Sequence, residues 1–315
     1  MKIYHYYPQR MGIGRNHLSY VDVVYPDITQ LEEFKAAKKI LVVSGDSWTN
    51  RVEGRANHSH TWVNEFADMR DYDFVILSAN CGDSSTESFI NLVNLFSQTD
   101  LAGDIFHNSH PSWLGVNVFE GKQVDVIVQW TSIIRDFSEF SAWYKPYTFA
   151  SSPLLDDPFK KEMYDEYVMH ILNDKFYSYK MQVYSWQLQK YFERWNIPYY
   201  FWMGFCDLVP ESVENTDMDI RQYLNKDRWF NLYDRPGNMS DYLYYVEKGT
   251  LPNRLSGILT EGGPSAFLST VSNAVNNLFN KHKVNTSLEN SLFLADLHPS
   301  KAGNSVIAKT LHERF

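Results

Sequence analysis

Four stretches of the chain are apolar almost without interruption: Lys39–Ser44 (KILVVS), Phe74–Ala79 (FVILSA), Val124–Gln129 (VDVIVQ) and Ile197–Met203 (IPYYFWM). Each is short, rich in β-branched or aromatic residues and bounded by small or polar ones, the pattern of a strand buried on both faces. Around them apolar residues recur at helical spacing. Thr61–Met69 places Trp62, Val63, Phe66 and Met69 on one face. Ile28–Ala37, Glu87–Phe96, about 159–195, Ser265–Lys281 and Ser300–Phe315 read as further helices. Tyr20–Tyr25 reads as a further short strand. Strands alternating with helices at this spacing imply a parallel sheet covered on both faces. The predicted class is α/β, a three-layer α/β/α sandwich on a parallel sheet of about five strands.

Residues 1–37 are polar, aromatic and weakly periodic, and read as an N-terminal extension to a domain spanning 38–315. Residues from about 140 to 195 and from 207 to 290 read as insertions that enlarge one side of that domain. The stretch Asp207–Asn285 has no clean strand–helix rhythm and is punctuated by Gly237, Pro252, Gly257 and Gly262-Gly263-Pro264. No internal repeat or low-complexity tract stands out.

Composition narrows the function classes. The 315 residues fit about two domains or, equally well, one large α/β domain with insertions. Hydrophobic residues at 44% and charged residues at 21% exclude a disordered, collagen-like or coiled-coil chain. No apolar run is long enough for a transmembrane helix, so no membrane span is expected. A net charge of -9 with pI near 5.6 disfavours a nucleic-acid partner. The N-terminal residues lack the apolar core of a signal peptide, so synthesis in the cytoplasm is the default expectation. Cys81 and Cys206 make no disulfide framework and read as small buried hydrophobes. The 20 Phe, 21 Tyr and 9 Trp are unusually many. A thick aromatic core is the simpler explanation; stacking of some rings on a sugar is the functional one.

The chemistry-bearing residues cluster where strands end. Gly45-Asp46-Ser47-Trp48 follows the first run, Asn80-Cys81-Gly82-Asp83-Ser84 the second and Trp130-Thr131-Ser132 the third. Near the C-terminus, Asp296-Leu297-His298-Pro299-Ser300 precedes a helix. Ligands in open parallel sheets bind at the carboxyl ends of the strands, so the loops after the first three strands should converge on one crevice. A serine hydroxyl becomes a nucleophile when a base takes its proton, and histidine suits that role near neutral pH. A carboxylate two residues from the histidine can fix its tautomer and stabilise the imidazolium. Backbone N–H groups at strand-to-helix turns can bind an oxyanion.

These blocks resemble the SGNH (GDSL-type) hydrolase family. Val42-Val43-Ser44-Gly45-Asp46-Ser47-Trp48 resembles its first block, with Trp48 where leucine is usual. Asn80-Cys81-Gly82-Asp83-Ser84 resembles the second, and Asp296-Leu297-His298-Pro299-Ser300 a form of the last. The third departs: Ser132 stands where the family has asparagine. The resemblance implies a flavodoxin-like strand order and a serine esterase. Ser47 would be the nucleophile, His298 the general base and acid, and Asp296 its orienting carboxylate. The N–H groups of Ser47 and Gly82, with the Ser132 hydroxyl, would form the oxyanion hole. Asp46 would be a positioning group. Trp48, Asn80, Thr131 and Arg135 are candidate substrate-binding residues, although an ordinary surface ion pair with Asp136 is the simpler role for Arg135.

The implied substrate is a small-molecule or glycan ester, with O-acetyl groups on carbohydrate as the first choice and no cofactor. Two other classes fit the same residues: a non-catalytic glycan-binding or structural protein that retains the scaffold, and an acyltransferase. An oligomer or larger assembly is compatible with either. His58 and His60, and His107 and His110, invite a metal reading, but neither pair has a carboxylate or third ligand at useful spacing, so no metal is expected.

Overall fold

The computed structural model describes residues 1–6, 28–46, 48–49, 61–79, 85–97, 119–131, 174–251, 292–293 and 298–315. Five parallel strands form one sheet in the order β1-β3-β2-β4-β5. They are β1 (Lys2–His5), β2 (Lys39–Gly45), β3 (Phe74–Ala79), β4 (Gln123–Trp130) and β5 (Tyr199–Met203). The α-helices among the described residues are α1 (Glu32–Ala36), α2 (Trp62–Met69), α3 (Ser85–Ser97), α4 (Asp174–Arg194), α5 (Met239–Lys248) and α6 (Lys301–Arg314).

The central strand shows why the sequence makes this sheet. β2 is hydrogen-bonded to β3 on one side and β4 on the other, with Val42 opposite both Ile76 and Val126. Its side chains alternate between two cores. Ile40 and Val42 join Phe34, Leu92, Tyr177, Met181 and Phe192 on one face, the side of α1, α3 and α4. Leu41 and Val43 join Trp62, Phe66, Leu243, Ile307 and Leu311 on the other, the side of α2, α5 and α6. A strand buried on both faces needs an unbroken apolar run, which is what KILVVS supplies. Large aromatics fill much of both cores: Trp48, Trp62, Trp130, Trp202, Phe74, Phe201 and Phe230 are among the most buried of the described side chains.

Three of the expected strands match closely, and the fourth begins at Tyr199 because Pro198 precedes it. Residues 28–37 form a 3₁₀ turn (Ile28–Gln30) and then α1, separated by Leu31 in an extended conformation, rather than one helix. The chain also has a strand that the apolar pattern does not announce. β1 pairs with β3 from Lys2↔Phe74 to His5↔Leu77, so the start of the extension forms the sheet edge. The expected strand at Tyr20–Tyr25 and helix at Ser265–Lys281 lie outside the described residues, as does the expected helix before Asp174.

Within the region read as an insertion, two glutamines on α4 clasp the segment that follows β5. Gln182 accepts from Ile220 N–H at 2.8 Å and donates to the Met218 carbonyl at 3.1 Å. One heptad on, Gln189 accepts from Asn225 N–H at 2.8 Å and donates to the Tyr223 carbonyl at 3.2 Å. Each amide satisfies one backbone donor and one acceptor that no sheet or helix would reach. Beside them Arg221 donates to Asp219 at 2.6 Å, and this hydrogen bond holds the Asp219 carboxyl below the usual range against the opposing effect of burial. The same segment carries α5, started by Asn238, whose side chain accepts from Asp241 N–H, and ended by Gly249 at φ 72°.

Candidate functional site

The strand order reverses at β2. From β2 the chain moves outward to β3, then returns to lay β4 on the other flank of β2. The carboxyl ends of β2 and β4 are therefore the switch point, where successive connections diverge and leave a crevice.

The described polar residues at that point form one buried network around Asp46. The chain turns as soon as β2 ends: Thr49 N–H donates to the Asp46 carbonyl at 3.0 Å. Asp46 Oδ1 accepts from Trp48 N–H at 2.9 Å, an Asx-type turn, and from Gln129 Nε2 at 2.7 Å. Its Oδ2 accepts from the Thr131 hydroxyl at 2.7 Å. The Gln129 Oε1 accepts in turn from the Thr49 hydroxyl. Asp46, Thr49 and Gln129 are all fully buried. A carboxylate in that setting is tolerable because three donors reach its two oxygens. The network ties the β2 loop to the end of β4.

The C-terminal block approaches from the α6 side. Ser300 caps α6, accepting from Gly303 N–H at 3.1 Å, and its own N–H donates to the Leu292 carbonyl at 2.9 Å. Phe293 and Pro299 form an isolated antiparallel bridge. Asn304 holds both α6 and α2: its Nδ2 donates to the carbonyls of Pro299 and Ser300, and its Oδ1 accepts from Trp62 N–H at 2.9 Å. The turn after β2 and residues 292–293 meet through aromatic rings. Trp48 lies with its ring centroid 4.7 Å from that of Phe205 and 6.3 Å from that of Phe293. The residue after Ser47 in the chain thus packs against the segment bridged to the residue after His298. His298 is itself half-buried, with both ring nitrogens shielded from solvent.

Of the site residues expected from sequence, Asp46, Trp48, Thr131 and His298 are described. Trp48 is a core residue, 2% exposed, and Thr131 is equally buried with its hydroxyl proton given to Asp46. Ser47, Asp296, Gly82, Ser132, Asn80 and Arg135 lie outside the described residues, as do His58, His60, His107 and His110. Sequence reasoning missed Gln129 and Thr49. The available signal was a carboxamide at the end of an otherwise buried strand, where an unpaired amide would be costly.

Among the described residues no group of three His, Cys, Asp or Glu side chains could hold a metal ion. Among them, too, no helix is long and apolar enough to cross a membrane. In comparisons with known proteins, no family model matches the chain and no curated protein matches it significantly.

Proposed function

We propose that the chain is a serine esterase of the SGNH type, built on a three-layer α/β/α sandwich with flavodoxin-like strand order. One observation carries the reading: Trp48 packs against Phe293, which is bridged to Pro299, the residue after His298. A nucleophile and base from segments far apart in the chain need a contact of this kind between their neighbours.

In this mechanism His298 takes the proton of Ser47 as Oγ bonds to the acyl carbon of the ester. Asp296 orients the imidazole and stabilises its charged form. The N–H groups of Ser47 and Gly82 and the Ser132 hydroxyl stabilise the oxyanion. The acyl carbon–oxygen bond breaks, the leaving alcohol takes the proton from His298, and water activated by the same histidine releases the acid. An O-acetylated carbohydrate is the proposed substrate. The test is hydrolysis of p-nitrophenyl acetate by the full chain beside Ser47→Ala and His298→Ala. Turnover lost in both variants is expected; turnover retained in Ser47→Ala contradicts the assignment.

A second reading has its own support. Ser132 replaces the family's asparagine, and the neighbouring Thr131 hydroxyl is engaged by Asp46, so it gives its proton to the protein rather than to a ligand. A scaffold short of oxyanion donors would bind a glycan without turning it over. Wild-type protein that retains an O-acetylated glycan but hydrolyses no ester would favour this reading.

A further inference from the structure

Gln129 is the least expected residue at the carboxyl end of the sheet. It sits in the central part of the sheet, fully buried, at a position whose neighbours in sequence are Val128 and Trp130. Burying a carboxamide costs free energy unless both ends are bonded, and here they are. Nε2 donates to Asp46 Oδ1 at 2.7 Å, and Oε1 accepts from the Thr49 hydroxyl. Asp46 precedes Ser47 by one residue and Thr49 follows it by two. Among the described side chains of the network, Gln129 is the one bonded to side chains on both flanks of that serine.

The amide is also gripped sterically. A Cβ on Gly204, just past β5, would lie 2.8 Å from Gln129 Nε2 and 3.4 Å from the Trp130 carbonyl. The space between β2 and β5 is filled by this amide with no room for a methyl group beside it. Its polarity is fixed as well. The nitrogen end can only donate and the oxygen end only accept, which matches an acceptor carboxylate on one side and a hydroxyl donor on the other.

From this geometry we infer that Gln129 is a positioning residue, setting the placement of the Asp46–Thr49 segment and with it the nucleophile. The inference rests on the esterase reading of Ser47. Gln129 touches no substrate, because its amide is buried and committed to the protein. Its contribution is orientation, and misplacement of a reacting group by about 1 Å costs on the order of 10²-fold in rate.

The experiment compares kcat and KM for p-nitrophenyl acetate in wild type, Gln129→Leu, Thr49→Val, Gly204→Ala and Ser47→Ala, each normalised to the folded fraction measured by urea unfolding. Gln129→Leu removes both bonds. Thr49→Val removes one with little change of shape, and Gly204→Ala crowds the amide without changing its chemistry. The expected result is a fall in kcat of about 10²-fold for Gln129→Leu, with smaller falls for the other two, and KM within about twofold of wild type. Where Gln129→Leu does not fold, Thr49→Val and Gly204→Ala carry the test. Turnover abolished in Ser47→Ala, together with wild-type kcat in the folded positioning variants, overturns the inference and leaves the esterase standing. Turnover that persists in Ser47→Ala overturns both.

Discussion

Gly303 lies in the first turn of α6, where alanine would ordinarily be the better helix former by about 1 kcal/mol. Here a Cβ would press into the Leu292 carbonyl, with the carbonyl carbon 3.1 Å away and Pro299 Cβ 3.3 Å away. The obstacle is backbone, so it cannot swing aside as a flexible side chain would. Gly303→Ala must therefore push α6 away from residues 292–293. That shift strains the 2.9 Å bond from Ser300 N–H to the Leu292 carbonyl, worth about 1 kcal/mol. It also moves Asn304, whose side chain receives Trp62 N–H; a buried donor left unpaired costs about 1–3 kcal/mol. Set against the propensity gain, the net expectation is a destabilisation of about 1–3 kcal/mol. Urea unfolding should show a lower midpoint at unchanged slope. The neighbouring Ala302 is exposed, so Ala302→Gly should cost no more than about 1 kcal/mol, although it removes the better helix former. A Gly303→Ala protein as stable as wild type, or more so, would show that α6 has room for a Cβ at this position.

Asp219 gives a pH dependence with a definite sign. Its folded-state pKa is held down by the Arg221 hydrogen bond, so its stabilisation is fully present above the unfolded carboxylate value and is lost as pH falls through the folded one. Asp219→Asn should be less stable than wild type by about 1.5–3 kcal/mol at pH 7, with the gap unchanged at pH 6 and shrinking below about pH 4 in urea titrations; a gap that grew on acidification would contradict this. The two α4 clasps predict local effects. Gln189→Leu should speed amide hydrogen exchange at Asn225, and Gln182→Leu at Ile220, by on the order of tenfold, while exchange in β5 stays as in wild type; unchanged exchange at both amides would show that the clasps hold nothing.

The strands buried on both faces were legible because burial on two sides leaves no alternation to misread: FVILSA marks β3 to the residue. β1 was not, because a four-residue edge strand reading KIYH buries Tyr4 alone and offers no apolar run. α5 was hidden among glycines and prolines, yet Asn238 and Gly249 at its two ends are ordinary start and stop signals that a local reading could have used. At the candidate site, the two motif blocks were readable as residue strings. The contact of Trp48 with Phe293 was not, because nothing local says which aromatic rings will meet. Trp48 is a candidate for facing a substrate on sequence, whereas the fold buries it against Phe205 and Phe293. Gln129 was overlooked because a polar residue at the end of an apolar run reads as the chain leaving the core. Only the partners brought in from β2 show that it stays inside.

Covalent trapping decides whether Ser47 is a nucleophile activated by His298. The full chain is treated with a fluorophosphonate, which forms a stable bond to an activated serine as fluoride leaves, and the adduct is located by peptide mass spectrometry. A serine esterase mechanism requires one adduct per chain, on Ser47, absent in Ser47→Ala and formed at least about 10²-fold more slowly in His298→Ala. No adduct on wild-type Ser47, or one that forms equally fast without His298, would contradict it.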